Sequence, residues 1–181
     1  MSHPVVIRPV THDDNAALRE IYDWAVANTT ATMDTQPRTK AQQAMWIDAH
    51  DGSPYPGLVA EDLTDDDGRV LGYAALSAYN PRPGYRTTAE VSIYVHPQWQ
   101  GLRVGQQLLE ALIRDASRHG FVSLVSLISA DNAPSLRLHE SHGFEIVGTL
   151  HQAGRKFEAW VDVTFMQLLL PDAEVRNAPH T

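Results

Sequence analysis

The sequence predicts an α+β protein built on one mixed, mostly antiparallel sheet. Residues 88–96 alternate, with Ala89, Val91, Ile93 and Val95 facing one way and Glu90, Ser92, Tyr94 and His96 the other, which is the period of a strand. This strand leads through Gln100-Gly101-Leu102-Arg103-Val104-Gly105-Gln106 into an amphipathic helix with Leu102, Leu108, Leu109, Leu112, Ile113 and Ala116 on one face. Strand-like segments occupy both ends of the chain, with helical segments inserted between them. At 181 residues the chain suits a single domain over residues 1–170, followed by a polar tail at 171–181 that is expected to fray.

The elements follow in order. Val5, Ile7 and Val10 suggest a first strand. Thr11 or Asp13 could cap a helix that carries Leu18, Ile21, Tyr22 and Ala25 at 3–4 spacing. Residues 28–39, rich in Thr and containing Pro37, read as loop, and a second helix is expected over 40–50. A strand near 58–61 and another at 70–77 flank the turn Asp65-Asp66-Asp67-Gly68, which makes them an antiparallel pair. Pro81-Arg82-Pro83-Gly84 is an exposed loop. The central helix stops at Arg118, His119 and Gly120, cationic residues followed by a C-terminal glycine. A strand at 121–129 precedes Asn132-Ala133-Pro134-Ser135, a helix start that tolerates proline in its first turn. Gly143 ends that helix, and strands at 144–150 and 160–170 close the sheet.

Composition excludes several functions. A net charge of −8 argues against nucleic-acid or acidic-membrane binding, so any anionic ligand must be held by local groups. No cysteine is present, which removes disulfides, thiolate metal sites and cysteine nucleophiles. There is no signal peptide and no apolar run of spanning length, so the cytoplasm is the expected compartment. Nine histidines are present, but His119, His139, His142 and His151 lack zinc-ligand spacing, and Asp65-Asp66-Asp67 lacks the rest of a calcium loop; no metal is expected.

A strand entering a glycine-containing turn and then a helix makes an anion cradle, because the turn bares N–H groups and the helix start adds a positive dipole end. The stretch from Gln100 to Gln106 resembles the acyl-CoA pyrophosphate loop of the GCN5-related N-acetyltransferases, Q/R-x-x-G-x-G/A. Gln100 and Gly105 match, whereas Arg103 stands at a patterned glycine. Asn132, Ser135, Leu138, His139, Gly143 and Phe144 resemble the same family's N-x-x-(A/S)-x-x-L-Y-x-x-x-G-F, with His139 in place of tyrosine. Further segments resemble the phosphinothricin and methionine sulfoximine/sulfone branch. These are residues 28–34, Pro81 to Arg86, Glu90 with Tyr94-Val95-His96, and Gly154-Arg155-Lys156-Phe157 with Trp160 and Asp162. The resemblance spans about residues 6–170 and implies a sheet splayed around an acetyl-CoA cleft with helices on both faces. It also implies direct acetyl transfer from acetyl-CoA to a primary amine.

An ammonium must lose a proton before it attacks. Glu90 is the candidate base, acting with a raised pKa or through a water; its other reading is an exposed strand carboxylate or an ion-pair partner of Arg86. His139 is the second catalytic candidate, as proton donor or hydrogen-bond partner at the departing sulfur, or as a substrate-orienting group. By resemblance, Tyr94, Val95 and His96 run beside the pantetheine arm, with the Val95 N–H polarising the thioester carbonyl. The N–H groups of Gly101, Leu102, Arg103, Val104, Gly105 and Gln106 take the diphosphate, and Asn132 and Ser135 serve the pantetheine side or simply cap a helix. The resemblance to this branch implies an acceptor that carries a carboxylate for Arg82 and Arg86, which flank Tyr85, with Thr30 and Met33 forming another wall. Lys156, Phe157 and Trp160 are expected either to reach a partner's pocket in a homodimer or to belong to an ordinary hairpin. The competing functions are acetylation of protein N-termini or other amines, and a non-catalytic acyl-CoA sensor.

Overall fold

A computed structural model describes residues 4–51, 54–64 and 68–170. The Asp65-Asp66-Asp67 turn and the tail at 171–181 lie outside the described residues. Strands β1 (Val5–Pro9), β2 (Gly57–Asp62), β3 (Val70–Ala78), β4 (Thr88–Val95), β5 (Ser123–Ser129), β6 (Glu145–Lys156) and β7 (Ala159–Leu169) form a seven-stranded sheet in the order β1-β2-β3-β4-β5-β7-β6. Helices α1 (Asn15–Asn28), α2 (Lys40–Asp48), α3 (Val104–Arg118) and α4 (Ala133–Glu140) complete the fold.

Every neighbouring pair is antiparallel except β4–β5, which is parallel. That pair is short: Thr88↔Ser123, Ala89↔Leu124 and Glu90↔Val125. Beyond Glu90 the two strands part. β4 stays on β3 as far as Val95, and β5 stays on β7 as far as Ser129, so the sheet opens into two halves at Glu90. The facing edges of β4 and β5 there keep backbone groups without ladder partners.

Helices cover both faces. Leu108, Leu109 and Leu112 of α3 are fully buried against Leu71, Ala74, Ala89 and Leu124. On the other face Leu18, Ile21 and Tyr22 of α1 and Ile47 of α2 pack on Val59 and Tyr73. The alternation in β4 holds, but the side expected to be polar is covered as well. Tyr94 sits there, 5.2 Å from the Tyr22 ring and 5.3 Å from that of Tyr73. Alternation sorts residues between faces without revealing whether the second face has a lid.

Several boundaries differ from expectation. A 3-10 turn, His12–Asp14, precedes α1, and the Thr11 N–H donates to Asp14 Oδ2 at 2.8 Å. Helix α2 stops at Asp48, and beyond it the buried His50 donates from Nδ1 to the Trp46 carbonyl at 2.6 Å. Leu102 lies ahead of α3 rather than on its face. Strand β6 continues to Lys156 instead of ending at Leu150, across an irregularity between Leu150 and Gly154. Asp162 holds that irregularity, pairing with His151 Nδ1 at 2.7 Å and accepting from the Gln152 N–H at 2.8 Å. The β6–β7 turn has Phe157 and Glu158 at φ of 50° and 61°. It therefore uses left-handed residues without the Asn-Gly signature that would have marked a hairpin.

Candidate active site

The parting of β4 from β5 borders a cleft of about 790 Å³. Ile93, Tyr94 and Val95 line it from β4, Trp24 and Asn28 from α1, Pro134, Ser135 and Arg137 from α4, and Phe157 from the hairpin tip. Another wall is the loop into α3. Gly101 has φ of 79° and Arg103 has φ of 65°. Val104, Gly105 and Gln106, the first turn of α3, all line the cleft. Their N–H groups have no intrahelical acceptor, and the Arg103 side chain supplies no cap. The next amide, Gln107 N–H, bonds back to the Arg103 carbonyl at 3.1 Å. A Cβ on Gly105 would sit 3.4 Å from Leu138 Cδ2 and 3.6 Å from Val95 Cγ2, so α3, α4 and β4 converge at this turn. The cradle thus suits a diphosphate without needing a cationic side chain.

The β4 edge adds donors. The His96 N–H bonds to the Leu71 carbonyl of the β3 side at 2.9 Å. Antiparallel alternation then turns the amides of Val91, Ile93 and Val95 away from β3; that of Val91 serves the last β4–β5 pair, and those of Ile93 and Val95 face the gap. Gln100 Nε2 donates to the Val95 carbonyl at 3.3 Å and ties the loop to the strand. On the far wall Asn132 Oδ1 accepts from the Ser135 N–H at 3.2 Å, so Asn132 caps α4, and both residues line the cleft. Thr30 lines it too; its hydroxyl donates to Asp131 at 3.0 Å, and its carbonyl accepts from the Ser129 hydroxyl.

Glu90 stands where the sheet divides. It is half-buried, and burial raises its carboxyl pKa above the ordinary value. Among the described residues no ion pair reaches it, so the alternative pairing with Arg86 is not formed. Its side chain shares the face of Tyr94, whereas His139 belongs to the α3 side, with its ring 5.0 Å from Phe144. The two catalytic candidates therefore lie on opposite faces of the sheet. His139 is 3% exposed, and its Nδ1 is 2.9 Å from the Ser135 carbonyl. A carbonyl only accepts, so Nδ1 carries the hydrogen and Nε2 is a bare acceptor, buried and without a partner. Burial, helped by His142, lowers the ring pKa against the opposing effect of the Ser135 bond. The neutral ring cannot serve as the proton donor expected from sequence until it has first taken up a proton.

Neither Glu90 nor His139 is among the residues that line the cleft, and other sequence candidates sit apart from it as well. His96 and Leu102 are outside it; His96 borders an adjoining polar recess with Arg8 and Asp14, 3.5 Å from Glu20. Arg82, Tyr85 and Arg86 are exposed on the loop before β4, with the Tyr85 ring 5.6 Å from that of Tyr79. Met33 packs on β6, where a Cβ at Gly154 would collide with its Cε. Lys156 is buried within its own chain and donates to the Thr32 carbonyl at 2.7 Å, while Phe157 is exposed and lines this chain's own cleft. The sequence reading missed Trp24, Arg137 and Ser141 as lining residues. Their available signals were an exposed tryptophan on an otherwise well-patterned helix, and the spacing of 134, 137, 138 and 141 along one side of α4.

Among the described residues no helix is long and apolar enough to cross a membrane, and no cluster of side chains could hold a metal. The model of the acetyltransferase (GNAT) family matches residues 18–144. The chain is 42% identical over 173 residues to the L-methionine sulfoximine/L-methionine sulfone acetyltransferase of Pseudomonas paraeruginosa, covering 96% of this chain and 98% of that one. It is 37% identical over 166 residues to the phosphinothricin N-acetyltransferase of Streptomyces viridochromogenes, covering 91% and 87%. The structure of yncA from Salmonella typhimurium, solved with its cofactor acetyl-CoA, superposes with a TM-score of 0.88 at 37% identity, covering 98% of this chain and 99% of that one.

Proposed function

The chain belongs to the acetyltransferase (GNAT) family, whose members are acetyl-CoA-dependent N-acyltransferases, and on that footing we propose its substrate and the division of labour in its cleft. The acceptor is the primary amine of a small amino-acid-like molecule of the phosphinothricin, methionine sulfoximine or methionine sulfone type, the substrates named for its relatives. One observation carries the reading: unbonded amides of the α3 start and of the β4 edge converge on a single cleft, and Glu90 stands at the strand pair beyond which that edge is free.

Acetyl-CoA, when bound, supplies the activated acyl group. The amides from Gly101 to Gln106 hold its diphosphate, Asn132 and Ser135 its pantetheine side, and the Val95 N–H the carbonyl oxygen. Glu90 takes the proton of the acceptor ammonium, directly or through a water, and its raised pKa makes it a better base near neutrality than a free glutamate. His139 offers a neutral acceptor nitrogen that can take up a proton and return it. Arg82 and Arg86 meet the acceptor carboxylate from the loop leading into β4, beside Tyr85, and Thr30 and Met33 wall its side chain.

We propose a homodimer, with exposed apolar residues of β6 and β7, Ile146, Val147, Leu150 and Trp160 among them, as the candidates for its interface. The cytoplasm is the compartment proposed.

Thiol release from acetyl-CoA tests the function, and the cysteine-free chain adds no thiol background. Turnover confined to phosphinothricin, methionine sulfoximine and methionine sulfone is expected. Turnover with a short peptide instead would move the acceptor to protein N-termini. Acetyl-CoA binding with no turnover on any amine would leave a sensor.

A further inference from the structure

Coenzyme A carries three phosphates, and the α3 start accounts for two of them. The third, the 3′-phosphate of the ribose, is a monoester with charge approaching −2 at neutral pH, beyond the reach of the same few amides. In a chain of net charge −8 it needs a cation of its own. Two arginines line the cleft, Arg103 and Arg137. Arg103 belongs to the diphosphate loop itself, as the residue ahead of α3. Arg137 comes from the opposite wall, in the second turn of α4.

The position of Arg137 follows from its neighbour. Leu138 Cδ2 lies 3.4 Å from where a Cβ on Gly105 would stand, so this turn of α4 abuts the diphosphate loop. Arg137 is exposed, lines the cleft, and its side chain has no hydrogen bond or ion pair among the described residues. Ser141, one turn further on, lines the same wall, but its hydroxyl already donates to the Leu138 carbonyl at 2.8 Å. Asp131, at the other end of α4, is engaged by Thr30. A guanidinium without a carboxylate partner, beside an anion cradle, presents a planar fork that matches a phosphate.

We propose that Arg137 binds the 3′-phosphate of coenzyme A and thereby sets the preference of the chain for the full nucleotide over its 3′-dephosphorylated form. This rests on the cleft being the coenzyme A site. Calorimetric affinities for coenzyme A and for 3′-dephospho-coenzyme A test it on the unaltered chain, Arg137→Ala, Arg137→Lys and Arg103→Ala. The unaltered chain is expected to favour coenzyme A by about three- to tenfold, a modest ratio because water screens an exposed ion pair. Arg137→Ala should abolish that ratio by weakening coenzyme A alone, and Arg137→Lys should restore part of it. Arg103→Ala should weaken both ligands together. An unchanged ratio in Arg137→Ala, with both ligands still bound, would overturn this assignment and leave the acetyltransferase reading intact. Failure of the unaltered chain to bind either ligand would overturn the cleft assignment and the role of Arg137 with it.

Discussion

Arg103 holds a left-handed backbone, φ 65°, at the position where the family's loop has glycine. An L side chain there costs roughly 1–2 kcal/mol, which glycine would not incur. The loop conformation therefore survives the substitution, and its strain is borne by the fold. Alanine would keep the strain while removing the guanidinium. Arg103→Gly is accordingly expected to be more stable than Arg103→Ala by about 1 kcal/mol in urea unfolding; equal stabilities would mean that Arg103 is not left-handed in solution. Glu90 yields a second expectation with two readouts. Burial raises its folded pKa, so the folded state holds the carboxyl proton more tightly than the unfolded chain does. Ionisation then costs stability as pH rises past the unfolded value, while it creates the base. Glu90→Gln should lower kcat/KM by about 10²- to 10⁴-fold and remove the acid limb of its pH profile. Its Tm should hold or rise at neutral pH. A fall in both activity and Tm would point to a structural carboxylate instead.

At the scale of elements, side-chain ties set where loops and strand ends lie. Lys156 at the end of β6 fastens the 29–34 loop through Thr32, and Ser129 at the end of β5 fastens it through Thr30. Arg8 of β1 reaches Asp14 at the α1 start through a two-pronged contact at 2.8 Å, and also Glu61 of β2. Asp14 is almost wholly buried. Burial alone would raise its pKa, but the bonds from Arg8 and the Thr11 N–H, with the Arg8 charge, outweigh it and the net shift is downward. A depressed folded pKa means stability that is present above the unfolded value of 3.8 and lost as pH falls through the still lower folded value. Asp14→Asn should destabilise the protein at pH 7 and flatten its loss of stability on acidification below about pH 4. Urea midpoints from pH 3 to 7 would show this, and parallel curves for the two proteins would refute it.

For the molecule as a whole, the sheet is two half-sheets joined by three residue pairs, and the cleft is what lies beyond the join. α1, α3 and α4 line its walls from both layers, so its shape depends on the whole domain rather than on one motif. The last strands present an uncovered apolar surface on the edge side, with Trp160 62% exposed and Val147 65% exposed. If a second copy covers it, Trp160→Glu should convert a dimer to a monomer in sedimentation velocity with its fold retained by circular dichroism. A monomeric unaltered chain under the same conditions would remove the homodimer proposal.

Residue order by itself determined the mixed sheet, the seven strands, the placement of four helices and the family. Each rests on local periodicity and on spaced motifs such as Gln100 to Gly105 and Asn132 to Phe144, which are written along the chain. The long β6 was not legible, because its ladder resumes only through Asp162 holding His151 and Gln152, a contact across strands. Nor was the separation of Glu90 from His139, since a motif gives neighbours in sequence and not the face on which a helix docks. Arg137 and Trp24 became visible as site residues only once α4 and α1 met the β4 edge. Tertiary structure decided these points because a cleft is made of surfaces from distant elements, and the packing energies that bring them together have no local signature.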